Sequence, residues 1–238
     1  MKPKWEEPQK YRFGSIALTL FLIFFVFFSN NSVAQNFHFG LKASPSICWI
    51  KPDYTGWKSN GIRMGFNYGI MTEFSFSDNY SFATGIEVSH RGGKIEEKID
   101  TSGFNLSTDL TLKLQNVDVP LLIKMKTNEI GYISYFGQFG FTPSINLKAK
   151  GDDQVKVNGA LLANNSGRDI KSSMQTLSIA LVIGIGLEYS LAGKTALLLG
   201  INFNNGFSNI LTHERINGVD YNYKAVGNYI SLNTGILF

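Results

Sequence analysis

The chain has 238 residues, of which 44% are hydrophobic, 13% are aromatic and 17% are charged. The charged fraction lies below the roughly 25% that is usual for soluble domains. The formal net charge is only +4 and part of it lies in the first residues, so nothing favours nucleic acid as a partner. The single cysteine, Cys48, excludes an internal disulfide and is best interpreted as a small apolar residue.

Residues 1–34 have the layout of a secretory signal peptide. Basic residues precede an apolar run from Ile16 to Phe28, which is shorter than the roughly 20 residues that a spanning helix needs. Small residues at Ser32 and Ala34 suit a signal cleavage site. We therefore expect cleavage between Ala34 and Gln35 and one domain over residues 35–238; the alternative is an uncleaved N-terminal anchor.

After this leader, eight segments alternate between apolar and polar residues, as strands with different surroundings on their two faces do. We place them at about 36–50, 61–76, 80–94, 112–126, 131–148, 174–190, 195–207 and 226–238. The last segment, GNYISLNTGILF, ends on Phe238. It resembles the closing strand of a bacterial outer-membrane β-barrel, in which this end is the signal for assembly.

The connections between the segments alternate in length. Those at 77–79, 127–130 and 191–194 are short and polar, whereas those at 51–60, 95–111, 149–173 and 207–225 are long. Short turns on one side and long loops on the other are typical of outer-membrane barrels. The sequence therefore predicts an all-β fold, an eight-stranded antiparallel up-and-down transmembrane β-barrel with short periplasmic turns, four long extracellular loops and both mature termini in the periplasm.

Aromatic residues gather near both ends of the predicted strands, as expected at the two interfaces of a membrane. At the periplasmic ends they are Phe37, Phe39, Phe74, Phe76, Tyr80, Phe82, Tyr132, Tyr135, Tyr189 and Phe238, and nearer the loops they are Trp49, Phe66, Phe141 and Phe203.

The face rich in small residues also carries charges of both signs. They are Lys42, Arg63, Lys124 and Lys126 together with Glu73, Glu87, Asp118 and Glu188. The interior of an eight-stranded barrel is only wide enough for its own side chains, and a buried charge needs a partner. We predict a network of ion pairs that fills the lumen; the functional alternative is a selectivity filter or a proton path.

Pro120 interrupts the fourth segment, and a closed barrel has no edge at which a missing N–H is harmless. We therefore predict a bulge or a break at Val119, Pro120 and Leu121.

Three short motifs resemble the PorT-type family of outer-membrane β-barrel proteins. Val117–Lys124 (VDVPLLIK) is similar to the family's (V/L)E(I/V)PLLLK(Y) strand, Phe39–Ala43 (FGLKA) to its opening FGIKAG, and Gly184–Tyr189 (GIGLEY) to its GxGxEY strand. Asp118, Met125 and Ser44 depart from the usual Glu, Tyr and Gly. The resemblance implies an outer-membrane barrel, and the named member of the family is linked to protein secretion across that membrane.

No catalytic, cofactor or metal motif is present in the sequence. His90, His213, Glu214 and Asp220 could meet at the loop end of a barrel, which leaves a loop-end hydrolase open; His38 lies on the lumen face. We expect a non-enzymatic protein of the outer membrane with a structural or interaction role. Its expected partners are outer-membrane lipid, the barrel-assembly machinery and envelope or secretion-complex proteins.

Two further alternatives remain. One is a narrow pore for small solutes, with a wet path past Glu73, Glu87 and Lys124. The other is a soluble lipocalin-like barrel that binds apolar ligands, in which the faces are reversed and the phenylalanines and isoleucines point inward.

Overall fold

The computed structural model describes residues 37–101, 104–191, 193, 195–212, 214–216, 219–221 and 223–238. The expected leader, the cleavage site between Ala34 and Gln35, and His213 lie outside the described residues. Within the described part of the chain, no helix is long and apolar enough to cross a membrane.

Thirteen strands and one short 3-10 helix make up the described fold. The strands are β1 (Phe37–Pro52), β2 (Trp57–Ser59), β3 (Arg63–Ser77), β4 (Tyr80–Thr101), β5 (Phe104–Asp118), β6 (Leu121–Lys126), β7 (Ile133–Val157), β8 (Ala160–Asp169), β9 (Leu177–Ser190), β10 (Ala196–Gly206), β11 (Glu214–Ile216), β12 (Val219–Tyr221) and β13 (Ala225–Leu237). The 3-10 helix covers Lys171–Ser173.

The wall of the barrel has eight strand positions, which close into a ring through antiparallel pairing. The order is β1, β3, β4, β5 followed by β6 in one position, β7, β9, β10 and β13, and β13 pairs again with β1. Register at the closure joins Gly40 to Leu237 and Pro52 to Ala225. The predicted eight-stranded antiparallel barrel is confirmed.

The two faces of the wall differ as the alternation predicts. Most isoleucine, leucine and phenylalanine side chains of the wall point outward; Ile185, for example, is 69% exposed. Serine, asparagine and charged side chains point inward and are buried. This arrangement is the reverse of the one expected for a soluble barrel that holds apolar ligands.

The long connections are largely strands rather than irregular loops. β4 and β5 continue past residues 94 and 112 as a hairpin, and β7 continues past residue 148 and returns as β8. The predicted ends at these residues were therefore wrong. Beyond the membrane the outward face meets water instead of lipid, so the outward side chains become polar although the hydrogen-bonded ladder goes on. We call β2, β8 and the extended parts of β4, β5 and β7 the crown.

The strand position shared by β5 and β6 is interrupted at Val119 and Pro120. β5 pairs with β4 as far as Asp118, and pairing resumes at Leu121. Equal numbers of residues separate these pairs on both strands, so the site is a break and not the bulge given as one alternative. Proline lacks an N–H, and Val119 N donates to Pro143 O over 2.9 Å, so the ladder loses bonds without an inserted residue.

Candidate functional site

Apolar side chains fill the lumen near the short turns. Met71, Phe136, Leu198 and Leu237 form one buried cluster, which we call the plug. The Phe136 ring lies over two glycines of the neighbouring strands β9 and β10, since Gly186 is the cross-strand partner of Phe136 and Gly200 is the partner of Gly186. A Cβ built on Gly186 would lie 2.4 Å from Phe136 Cζ, and one on Gly200 would lie 3.1 Å away. Gly186, in the GIGLEY motif, therefore makes room for the aromatic ring that closes the lumen.

Beside the plug, at the same end of the barrel, lies a buried cluster of four charges: Lys126 is the cross-strand partner of Phe136, and Glu188 is that of Leu198. The Lys124 ammonium, which is 0% exposed, bonds to both Glu73 and Glu188. Lys126 Nζ lies 3.1 Å from Glu188 Oε2 and 3.9 Å from Glu73 Oε2. Two cations and two anions thus neutralise one another inside the wall, which suits groups that have lost their hydration.

Two further ion pairs lie nearer the crown. Lys42 Nζ is 2.8 Å from Glu87 Oε1, and Arg91 Nη2 is 2.9 Å from Asp118 Oδ1. The Arg91 guanidinium also lies 4.8 Å from the centroid of the Tyr229 ring. The structure therefore brings seven of the eight predicted lumen charges into ion pairs, with Arg91 as the partner of Asp118.

Arg63 was predicted to join this network and does not. Its Nη1 donates to the backbone oxygen of Arg91 over 2.9 Å, and it forms no ion pair with any described residue. Arg91, on β4, was missed in the sequence analysis. Alternate residues of a strand share a face, so the inward direction of Glu87 and Ser89 would have identified Arg91 as an inward residue.

Small amides and hydroxyls occupy the middle of the lumen. Ser44 Oγ donates to Asn233 Oδ1 over 3.0 Å, and Gln138 Nε2 donates to Asn202 Oδ1 over 2.7 Å. Ser44 and Asn233 lie on paired strands, and Gln138 and Asn202 lie on either side of β9, so these bonds link neighbouring strands along the inner wall.

A second apolar cluster closes the crown end. Ile50, Ile95, Leu112 and Ala225 are buried together, with partly buried residues from the connections packed against them. Between this cap and Arg91 lies a small recess, lined by Cys48, Asn116 and Tyr229 among others. The lumen thus has an apolar cluster at each end, with the Lys42–Glu87 and Arg91–Asp118 pairs between them.

Ion pairs also join the strands of the crown. Lys156 Nζ lies 2.8 Å from Asp109 Oδ2, and Lys113 bonds to Asp152. The bond from Lys156 holds the pKa of Asp109 below its ordinary value. The bond from Lys113, aided by the Gly167 N–H, likewise lowers the pKa of Asp152. These carboxylates stay ionised at neutral pH and tie β5 to β7.

The histidines do not form a site at the loop end. His90 points outward and stacks on Tyr68, with 6.2 Å between ring centroids, while His213 is outside the described residues and only the backbone of Glu214 and Asp220 is described. His38 pairs across β1 and β3 with Glu73 at the other end of the barrel. Among the described side chains, no group of three histidine, cysteine or acidic residues could hold a metal ion.

Comparison with known proteins places the chain among membrane barrels. The family model described as "Outer membrane protein beta-barrel domain" matches residues 28–212. No curated protein sequence matches the chain.

Among solved structures, the chain is similar to Neisserial surface protein A, with 14% identity, a TM-score of 0.43, and coverage of 84% of this chain and 95% of that one. OprG from Pseudomonas aeruginosa gives 13% identity, a TM-score of 0.41, and coverage of 84% and 95%. Ail from Yersinia pestis gives 13% identity, a TM-score of 0.33, and coverage of 86% and 100%.

Proposed function

The chain belongs to the outer membrane protein beta-barrel domain family, and we propose that it is a sealed barrel whose crown is a contact surface for other envelope proteins. It is an integral protein of the outer membrane, with the crown on the side of the long connections. The finer resemblance to PorT-type barrels makes a secretion complex the first envelope partner to test.

The buried charge cluster beside the plug is the observation that carries this proposal. An ion that crossed the lumen would have to separate Lys124 from Glu73 and Glu188, which are themselves almost completely buried. Breaking a buried pair costs about 3–5 kcal/mol. The Phe136 ring beside the cluster adds apolar surface on which an ion finds no ligands.

Conductance in planar bilayers tests the sealed lumen. We expect the wild-type barrel to give no discrete conductance steps. K124A/F136A/L198A lacks the central cation and two of the four plug side chains, and the addition of I50A/L112A also removes two side chains of the cap at the crown end. The combined variant should conduct cations, because Glu73 and Glu188 would then line an open path. Heat-dependent migration on SDS-PAGE checks that both proteins are folded. Discrete steps from the folded wild-type protein would favour the narrow pore instead.

The free edge of β8 supports the contact role of the crown. β8 pairs with β7 on one side, and no other described strand pairs with it. Its first eight residues carry no charge, and Leu162 is 71% exposed. An uncovered strand edge with exposed apolar residues can accept an extended segment of another protein.

Photo-crosslinking in intact cells tests this contact. A photoreactive amino acid at Leu162 should yield one protein adduct of defined mass. The same group at Ile185 is a matched control, because Ile185 is equally exposed (69%) but faces lipid, so no protein adduct is expected there. Absence of any protein adduct at Leu161, Leu162 and Ala163 would contradict the contact role of this edge.

A further inference from the structure

Four lysines lie together on the outer wall of the crown. They are Lys94 on β4, Lys113 on β5, and Lys148 and Lys150 on β7, and we call them the lysine patch. The three strands are neighbours, and Lys113 is the direct cross-strand partner of Lys150. Lys148 is the cross-strand partner of Gln115 and lies two residues before Lys150 along β7, on the same outward face.

Two like charges directly opposite each other destabilise a sheet, so the Lys113–Lys150 pair calls for an explanation. Lys113 is partly neutralised by its ion pair with Asp152. Lys150 is also the cross-strand partner of Asp169 on β8, but Asp169 Oδ1 accepts a hydrogen bond from the backbone N–H of Lys171 over 2.9 Å. Among the described residues, Lys94, Lys148 and Lys150 take part in no ion pair, which leaves the patch positively charged.

The patch begins where the lipid-facing surface ends. The outward side chains of β7 run through Phe139, Phe141, Ile145 and Leu147, all well exposed, and the next residue is Lys148. Leu147 is the extra residue of a bulge between the pairs Gln115–Lys148 and Asn116–Asn146. The bulge leaves Leu147 and Lys148 both exposed, so the change from apolar wall to ammonium groups occurs within one residue.

We propose that the lysine patch binds the phosphate groups of a lipid in the outer leaflet of the outer membrane. Lysines just above an apolar wall lie at the level of lipid headgroups, and each lysine near an anionic surface contributes about a fivefold increase in affinity. A phosphate between Lys113 and Lys150 would also remove their mutual repulsion. The inference depends on the orientation of the barrel in its membrane and not on whether its lumen is sealed.

Native mass spectrometry of the folded mature protein in detergent micelles tests the inference. Lipid A with two phosphates should remain bound, lipid A from which both phosphates have been removed should not, and the affinity should fall with added salt because exposed charges are screened. K148Q/K150Q should weaken binding of the diphosphorylated lipid by about 25-fold, two lysines at about fivefold each.

K51Q/K224Q is the matched control. It removes two exposed lysines at the same end of the barrel, at β1 and just before β13, on the wall opposite β7 in the ring of eight. Its affinity should stay within about twofold of wild type. Equal losses in both double variants would overturn the inference in favour of general charge attraction. Displacement of the lipid by millimolar inorganic phosphate would overturn it in favour of a free-anion site.

Discussion

The Lys124 ammonium lies 4.3 Å from the centroid of the Phe136 ring. This contact joins the charged cluster to the apolar plug, because the cation that neutralises Glu73 and Glu188 rests on the ring that closes the lumen. A cation over an aromatic face is attracted by the electrons of the ring. The charged cluster and the plug therefore stabilise each other, and a substitution in either should destabilise both.

Replacing Lys124 with methionine should destabilise the barrel by about 3–5 kcal/mol, because Glu73 and Glu188 would remain buried with too little positive charge. Urea unfolding in lipid vesicles measures this loss. Lys126 provides the comparison: its side chain is 18% exposed, against 1% for Lys124, so water can replace part of its contacts and K126M should cost less than K124M. If K124M is as stable as the wild type, the buried cluster does not hold the barrel together.

A quadruple variant separates lost charge from lost packing. K124M/K126M/E73Q/E188Q removes both cations and both anions of the cluster, so none of the four leaves an uncompensated partner. We expect it to recover at least half of the stability that K124M loses, since replacing a complete buried ion cluster is far less costly than breaking it. A quadruple variant that is no more stable than K124M would point to packing as the main role of Lys124.

Gly186→Ala should destabilise the barrel by about 1–3 kcal/mol through overpacking. The added methyl would lie 2.4 Å from Phe136 Cζ and 2.5 Å from the backbone oxygen of Leu199. The smaller side chain in F136L/G186A should restore part of the loss. Gly137→Ala is the matched control, because nothing lies within 4 Å of its added Cβ, and its unfolding midpoint in urea should not move.

The sequence was sufficient to predict the ring because lipid and lumen impose opposite chemistry on alternate residues. The same rule explains the errors. Beyond Lys94 and Lys148 the outward side chains are polar, so the apolar outward pattern of a lipid-facing strand is lost and the crown strands were interpreted as loops. His90 lies on the same face of β4 as Ile86, which is exposed, because alternate residues of a strand share a face. This outward direction argues against a catalytic role for His90 at the loop end.

Pairing inside the lumen was harder to predict than the presence of charges there. Parity places Lys124 and Glu188 on the same face, but the cross-lumen distance depends on the shear of the barrel, which the sequence does not specify. Arg63 and Arg91 illustrate what the sequence does not determine. Both point inward near the crown, and only the three-dimensional structure shows that Arg91 is the one that pairs with Asp118. The room beside Gly186 likewise became meaningful only when Phe136 was found against it.

Phe238 offers a test of the proposed assembly signal. Phe238 N donates to Phe39 O over 2.7 Å, and Phe39 N donates to Phe238 O over 3.2 Å, so F238A keeps both backbone bonds and removes only an exposed ring. If the barrel-assembly machinery reads this ring, F238A should lower the yield of assembled protein in cells while purified F238A refolds in vitro almost as well as wild type. Tyr135, on β7, has a similarly exposed ring, and an equal defect in Y135A would contradict a specific signal.

Acid should loosen the crown before it affects the membrane-spanning wall. The pKa values of Asp109 and Asp152 are lowered in the folded protein from an ordinary 3.8, so their ion pairs contribute fully above about pH 4 and are lost as the pH falls through the lowered values. The pKa of Lys156 is raised from 10.5 by Asp109, so its pair persists until the solution is more alkaline than that. Hydrogen exchange of β5 and β7, corrected for the intrinsic rate, should therefore be constant from pH 5 to pH 8.

The same exchange measurement should show faster opening of the crown below about pH 4. D109N/D152N removes both titrating carboxylates, so it should open slightly more readily at neutral pH and respond less to acid. Amides of β9 and β10, which lie in the apolar wall, should keep their protection over the whole range. Equal acid sensitivity in the wild type and D109N/D152N would show that other groups control the crown, because the variant has no carboxylate at either position to protonate.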